Sequence, residues 1–300
     1  MKKKTYLFAL MAMVLTLGSC SDNENGIGGE TSKYITVSTS IGNMTRVATD
    51  EKGGQTFEEG DEISVYAWTG APTVAPETSE RVVNNAINKL TNGSWISTPQ
   101  MLWKNNREKH YFIGVYPTAA ISDLSAGEYT FDANKQTESD LLVAVNPDGL
   151  SYSADAQQTV PLTFTHVMAK LAVNLTYKNQ WGGIPTVEKV VVGNAAKEAT
   201  INYLTKVVTP STTAKEDFSL PEITENTKYV SVIIPQEEVK QLTIVIGGKN
   251  FVYDNGTPFK LESGKITTVN LEVGRDEIKL GDVKITDWED GSTFSGEAIN

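Results

Sequence analysis

Three observations predict an all-β fold. Segments that alternate apolar and polar residues, or run through β-branched ones, return along the whole chain, and clusters of Gly, Pro, Asn, Asp and Ser separate them. No stretch holds apolar residues at helical spacing for more than about three turns. The expected strands are 34–41, 62–68, 111–116, 141–145, 170–175, 189–193, 229–234, 242–246, 266–273 and 283–288, with turns such as Asn146-Pro147-Asp148-Gly149 and Asp254-Asn255-Gly256 between them. Short strands at this spacing favour sandwiches or barrels.

The first 19 residues stand apart from that pattern. Met1-Lys2-Lys3-Lys4 is followed by an apolar run from Tyr6 to Thr16 and then by Leu17-Gly18-Ser19-Cys20, the sole cysteine of the chain. A basic start, a short apolar segment and small residues before the cut describe a signal peptide over 1–19, and the run is too short for a permanent membrane-spanning helix. The ending resembles the bacterial lipobox, which implies cleavage before Cys20 and diacylglycerol on its sulfur. A chance cysteine in an ordinary secretory signal is the competing account. Residues 20–33 then form a flexible tether, since SDNENGIGGE is acidic, glycine-rich and has nothing to bury. An acidic stretch after the lipid cysteine resembles the signal that sends some lipoproteins to the outer face of the outer membrane.

Composition narrows the partners. Loss of residues 1–19 removes three of the 26 basic residues, leaving 23 against 37 acidic ones, a net charge of −14. Nucleic acid and anionic membrane surfaces would repel such a chain. With Cys20 acylated no thiol remains for a disulfide, so the fold rests on hydrophobic cores. The mature length suits two of them. A polar interval at Pro147 to Thr159 sets the expected boundary, giving an N-terminal β domain over 34–158 and a C-terminal one over 159–300.

Within the first domain, Ile35, Val37, Thr39 and Ile41 fall on one face of the opening strand, and Thr36, Ser38 and Ser40 on the other. The apolar face should fill a seam in the N-terminal domain while its backbone pairs with a neighbour. Gly60-Asp61 punctuates the entry to the next strand, glycine allowing a turn conformation and Asp bonding the local backbone. Ile63, Val65 and Ala67 then alternate with Ser64 and Tyr66. In the second domain Leu171, Val173 and Leu175 alternate with Ala172 and Asn174, and His166 with Lys170 helps to fix the start of that strand. At the end of the chain Val283 and Ile285 alternate with Lys284 and Thr286, and Trp288 supplies a bulky anchor.

The residues offer no reacting centre. His110 and His166 each sit among aromatic or apolar strand residues, and a zinc site would need three or four clustered ligands. Nucleophile-elbow, zinc-protease, phosphate-loop and dinucleotide-binding runs are lacking, and Gly247-Gly248-Lys249 has no upstream spacing for a phosphate loop. The acidic run Asp287-Trp288-Glu289-Asp290-Gly291 lacks the alternating ligands of a calcium loop. No catalytic residue, metal or cofactor is therefore expected. Trp68, Trp95, Trp103, Trp181 and Trp288 are dispersed over the chain, which suits core or loop anchors better than a sugar-stacking platform.

The stretch Thr56-Phe57-Glu58-Glu59-Gly60-Asp61-Glu62-Ile63 resembles a Phe-x-x-Gly-Asp-x-Ile signature of the fimbrillin family, the Mfa-like lipoproteins of Bacteroides-type bacteria related to type V pilus subunits. Matching pieces follow in order: Trp103 with Tyr111 to Pro117, Asp140 to Ala144, Leu162 to Leu171, Ile233 to Gln236, and Ile285 to Gly291. The resemblance implies two tandem transthyretin-like Greek-key β-sandwich domains and a non-enzymatic role as stalk, tip or anchor of a pilus assembled by strand exchange. It further implies an outer-membrane lipoprotein, other fimbrillin subunits as partners, and a surface glycan or protein as a possible ligand. Pilus-building members are cut after an arginine by a trypsin-like protease and lose their first strand. Arg46, before Val47, sits where such a cut would fall, and the opening strand and the Val283, Ile285 and Trp288 segment are the candidates for exchange. A monomeric glycan-binding lipoprotein for nutrient capture is the alternative reading.

Overall fold

The computed structural model describes residues 33–42, 56–153 and 158–288. Among the described residues the ordered elements are strands, apart from two short 3-10 turns. In chain order the first eight are β1 (Thr36–Ile41), β2 (Glu62–Thr69), β3 (Val83–Thr91), β4 (Ser94–Thr98), β5 (His110–Tyr116), β6 (Gly127–Thr130), β7 (Leu142–Leu150) and β8 (Thr159–His166). Then come β9 (Ala169–Tyr177), β10 (Val187–Ala196), β11 (Glu198–Asn202), β12 (Val207–Pro210), β13 (Lys215–Ser219) and β14 (Glu222–Thr224). The last are β15 (Lys228–Ile233), β16 (Gln236–Ile246), β17 (Lys249–Leu261), β18 (Lys265–Val273) and β19 (Ile278–Asp287).

Seven strands form the first sheet in the order β1-β8-β7-β5-β2-β3-β4. Its centre is buried on both faces. Ile63, Val65 and Ala67 of β2 join one core with Ile35, Val37, Phe112, Val160, Leu162 and Phe164. Tyr66 and Trp68, from the opposite face of the same strand, enter a second core shared with the rest of the chain. That is why β2 reads as nearly continuous apolar sequence. Ser64 is fully buried between them and accepts the Ala119 amide at 2.9 Å, and the Tyr66 hydroxyl accepts that of Ile121 at 2.9 Å, so neither polar group is left unpaired.

Strand order puts β1 and β4 at opposite edges, yet the sheet curls around its core until these edges meet. The Ile35 amide donates to the Met101 carbonyl at 2.9 Å, the Trp103 amide donates to the Lys33 carbonyl at 3.1 Å, and Tyr34 and Leu102 form an antiparallel bridge. Curling of this kind hides the edges that a flat sheet would expose.

The remaining strands bury a sandwich. The five-stranded sheet β14-β15-β9-β18-β19 and the four-stranded sheet β13-β10-β16-β17 share a core that includes Leu171, Val173, Val269 and Leu271 from one side and Val190, Val192, Leu242 and Ile244 from the other. A small sheet, β12-β11-β6, includes one strand from the first half of the chain. Gly247 and Gly248 take φ of 58° and 72° and make the two-residue turn between β16 and β17, a conformation glycine adopts without strain.

Three sequence expectations are corrected. The boundary near residue 158 cuts across the first sheet, because Val160, Leu162 and Phe164 of β8 alternate inward and pair the strand with β1 and β7. The chain leaves that sheet after His166. Asn146-Pro147-Asp148-Gly149 is not a free turn but the far part of β7, where a register shift against β5 absorbs the irregularity. Likewise β17 runs through Asp254-Asn255-Gly256, and the shifts fall in its pairing with β16.

Candidate strand-exchange seam

β1 lies parallel to β8, with Thr36 opposite Thr159 and Ile41 opposite Phe164. Ile35 is 3% and Val37 6% exposed, Thr39 and Ile41 are half-buried, and Ser38 and Ser40 are exposed. Hydroxyls reinforce the outer face, where Thr36 meets Thr159 at 3.2 Å and Ser40 donates to Thr163 at 3.1 Å. Inside, Thr39 Oγ1 accepts the Trp95 indole N–H at 3.0 Å, which ties the strand to β4. At the end of the strand the Gly42 amide donates to the Phe164 carbonyl at 2.8 Å.

The dependence runs in both directions. β8 pairs with β7 only over Phe164–His166, so among the described residues Thr159–Thr163 find their strand partners in β1. Phe57 closes the same core with edge-on contacts to Trp95, Tyr116 and Phe164 at 5.3, 5.4 and 5.1 Å between centroids. Beneath the other end, His110 is fully buried. Its Nε2 accepts the Lys104 amide at 3.0 Å and its Nδ1 lies 3.2 Å from the Glu108 carbonyl, so the neutral ring carries its proton on Nδ1. Burial lowers its pKa from 6.5, against the raising effect of the Glu108 carbonyl and carboxylate.

The C-terminal candidates stand on a different sheet edge. β19 pairs antiparallel with β18, Val283 facing Val269 and Ile285 facing Thr267 across the ladder. Val283 and Ile285 are 37% and 39% exposed, whereas Trp288 is 8% exposed. The Trp288 ring stacks on His166 with centroids 3.9 Å apart and planes 8° from parallel, and His166 Nδ1 lies 2.8 Å from Asp140 Oδ1. Three stretches that are distant in sequence, around 140, 166 and 288, therefore meet at one point. Cys20, Arg46 and Val47 lie outside the described residues.

Sequence reasoning missed Met101 and Trp103 as backbone partners of the opening strand. Their signal was weak, because a single antiparallel bridge in a loop has no periodicity to read. None of the five tryptophans is exposed: Trp68, Trp103 and Trp288 are buried, and Trp95 and Trp181 are half-buried with their indole N–H groups bonded to Thr39 and the Val273 carbonyl.

A family model described as fimbrillin-like matches residues 45–288. The fold is similar to that of a candidate cell adhesion protein from Bacteroides ovatus, with a TM-score of 0.65 and 17% identity over 86% of this chain and 98% of that one. A candidate cell adhesion protein from Bacteroides uniformis gives a TM-score of 0.60 and 18% identity over 86% of this chain and 100% of that one. At these identities the likeness is one of fold. None of the curated proteins matches by sequence.

Proposed function

Because the chain belongs to the fimbrillin-like family, we propose that it is a surface-exposed structural and adhesive subunit, a stalk, tip or anchor that assembles with other fimbrillin subunits by strand exchange. Export as a lipoprotein acylated at Cys20 would tether it to the outer membrane. A cut between Arg46 and Val47 would then free it for the fimbrium. The observation that carries this reading is the position of β1. It fills an apolar seam, the residues that lead into it bond the Met101 to Trp103 segment, and the first half of β8 has its strand partners in β1.

Removing residues 20–46 takes β1 away. What remains is a groove with Val160, Leu162, Phe164 and Met101 in its walls, bordered by the unpaired donors and acceptors of β8 and of the Met101 to Trp103 segment. Such a groove accepts a strand from another molecule, with ladder bonds giving affinity and alternate side chains giving register. The adhesive ligand would be a glycan or protein on another surface. Monomeric glycan capture is the weaker reading, since none of the five indoles offers an exposed stacking face.

The test is rebinding. The protein cut after Arg46 is separated from its N-terminal fragment and titrated with a synthetic peptide covering residues 34–43. Saturable binding, lost when Val37 in the peptide is replaced by Asp, supports the groove, and absence of binding rejects it.

A further inference from the structure

β19 spans ten residues, and none of them is buried. It forms the edge of its sheet, paired to β18 alone. Ile278 and Leu280 at its start pack against the core, whereas further on Val283 and Ile285 are more than a third exposed and the exposed Asp282 carboxylate accepts from Asn270 Nδ2 at 2.6 Å. Ladder bonds at an exposed edge compete with water and contribute little net stability. Lys265 forms an ion pair with Asp287, but it too is solvent-accessible and so weak. Beyond Leu280 this strand buries no side chain of its own.

The residue that follows it is held from every side. Trp288 is 8% exposed, and its amide donates to the Gly264 carbonyl at 3.0 Å. His166 covers one face of the ring at 3.9 Å, so the Lys170 ammonium, 4.4 Å from the ring centroid, takes the other. The imidazole is fixed in turn by Asp140 at 2.8 Å. These contacts come from separate places in the fold: Asp140 precedes β7, His166 ends β8, Lys170 begins β9, and Gly264 lies between β17 and β18. A stacked ring and a cation over an aromatic face each add to what burial alone provides.

We propose that Trp288 is a latch, and that the part of β19 beyond Leu280 is retained in the sandwich chiefly through this one side chain. With the ring withdrawn, and with Ile278, Leu280 and the Gly274 to Glu277 turn, where the Gly274 amide donates to the Glu277 carbonyl at 2.8 Å, keeping the start of the strand in place, the 281–287 segment can leave as a unit. Its departure uncovers the edge of β18 and an apolar groove bordered by Tyr253, Pro258 and Phe259 of β17. In the strand-exchange reading above, on which this one consequence rests, the freed segment is a donor and the latch decides when it is available. Retention itself holds whether or not the protein polymerises.

Hydrogen exchange followed by mass spectrometry on the uncut, lipid-free monomer tests the latch. Trp288→Ala should accelerate exchange of the β18–β19 ladder on the order of a hundredfold and leave β10 and β16 unchanged. Trp288→Phe should have a smaller effect, and the double replacement Val283→Thr with Ile285→Thr only a few-fold one. Should Trp288→Ala fail to fold, Lys170→Met, which removes the cation and leaves the indole buried, must still raise exchange a few-fold in residues 281–287 while β10 and β16 stay protected. Unchanged exchange in β19, equal loosening by the Val283 and Ile285 double variant, or loosening of all strands together each overturns the proposal. Polymer formation by cut protein is scored separately, so its failure beside an intact latch effect counts against strand exchange alone.

Discussion

The Ile35 amide donates to the Met101 carbonyl at 2.9 Å, across the line where the two edges of the first sheet meet. That bond, with the Trp103 to Lys33 bond beside it, covers the residues leading into β1 on the side away from β8, while β1 itself stays the edge strand of its sheet. In the strand-exchange proposal, a cut before Val47 would open the seam and leave its backbone partners and apolar walls to be filled.

The seam should tolerate changes on its outer face and not on its inner one. Ile35→Ala removes a side chain that is 3% exposed and should cost about 2–5 kcal/mol of stability. Ser38→Ala, on the exposed face, should stay within about 0.5 kcal/mol. Urea unfolding of the two variants beside the parent protein checks the contrast, and equal effects would mean that the strand does not fill the core.

Acid should weaken the first core through His110. Burial holds its pKa below 6.5 in the folded chain, so the unfolded chain takes up the proton first as pH falls. The contribution is therefore fully present above pH 6.5 and declines as pH drops below it. Protonation would also remove the acceptor that Nε2 offers to the Lys104 amide. Urea midpoints measured from pH 7.5 to 5 should fall, and the fall should be shallower in His110→Asn.

Alkali should act through tyrosine. Burial pushes Tyr203 up to about 12 and raises Tyr129, Tyr177 and Tyr229 as well, the last helped by its bond to Glu222. Their neutral forms are favoured in the folded state, so stability is full below pH 10 and is lost as pH rises from 10 towards 12. Tyrosinate absorbance should lag in the folded protein and then rise together with loss of circular dichroism. Titration of Tyr129, Tyr177, Tyr203 and Tyr229 near pH 10 with the fold intact would contradict this.

The alternation along β1 made its inward face readable, because one face meets a core and the pattern has period two, and in β2 the alternate residues divide between two cores. Partner strands were a different matter. Nothing in Thr159 to His166 announces that it lies parallel to residues 36–41, some 123 positions away, and so composition alone places the boundary on the wrong side of it. β17 hid behind Asp254-Asn255-Gly256, because the irregularity falls within one continuous strand, between Asp254 opposite Gln241 and Phe259 opposite Val239. The Asp140, His166, Lys170 and Trp288 cluster was present as separate fragments of the family resemblance. Only the folded chain joins them at one indole.

Membrane attachment should depend on Cys20. The two or three acyl chains of a mature lipoprotein hold firmly where one is marginal. No helix among the described residues is long and apolar enough to cross a bilayer. Cys20→Ala should either appear in the soluble fraction or accumulate with its leader uncut. Recovery of that variant with membranes at mature size would rule out the lipid anchor.

The central claim is that loss of the opening strand drives assembly, and electron microscopy after limited digestion tests it most directly. Purified lipid-free protein is treated briefly with a trypsin-like protease, and the new N-terminus is read by mass spectrometry. The account predicts an N-terminus at Val47 and ordered polymers in the cut sample, with Arg46→Ala remaining uncut at that site and monomeric. A sample cleanly cut before Val47 that stays monomeric after its N-terminal fragment is removed would contradict it.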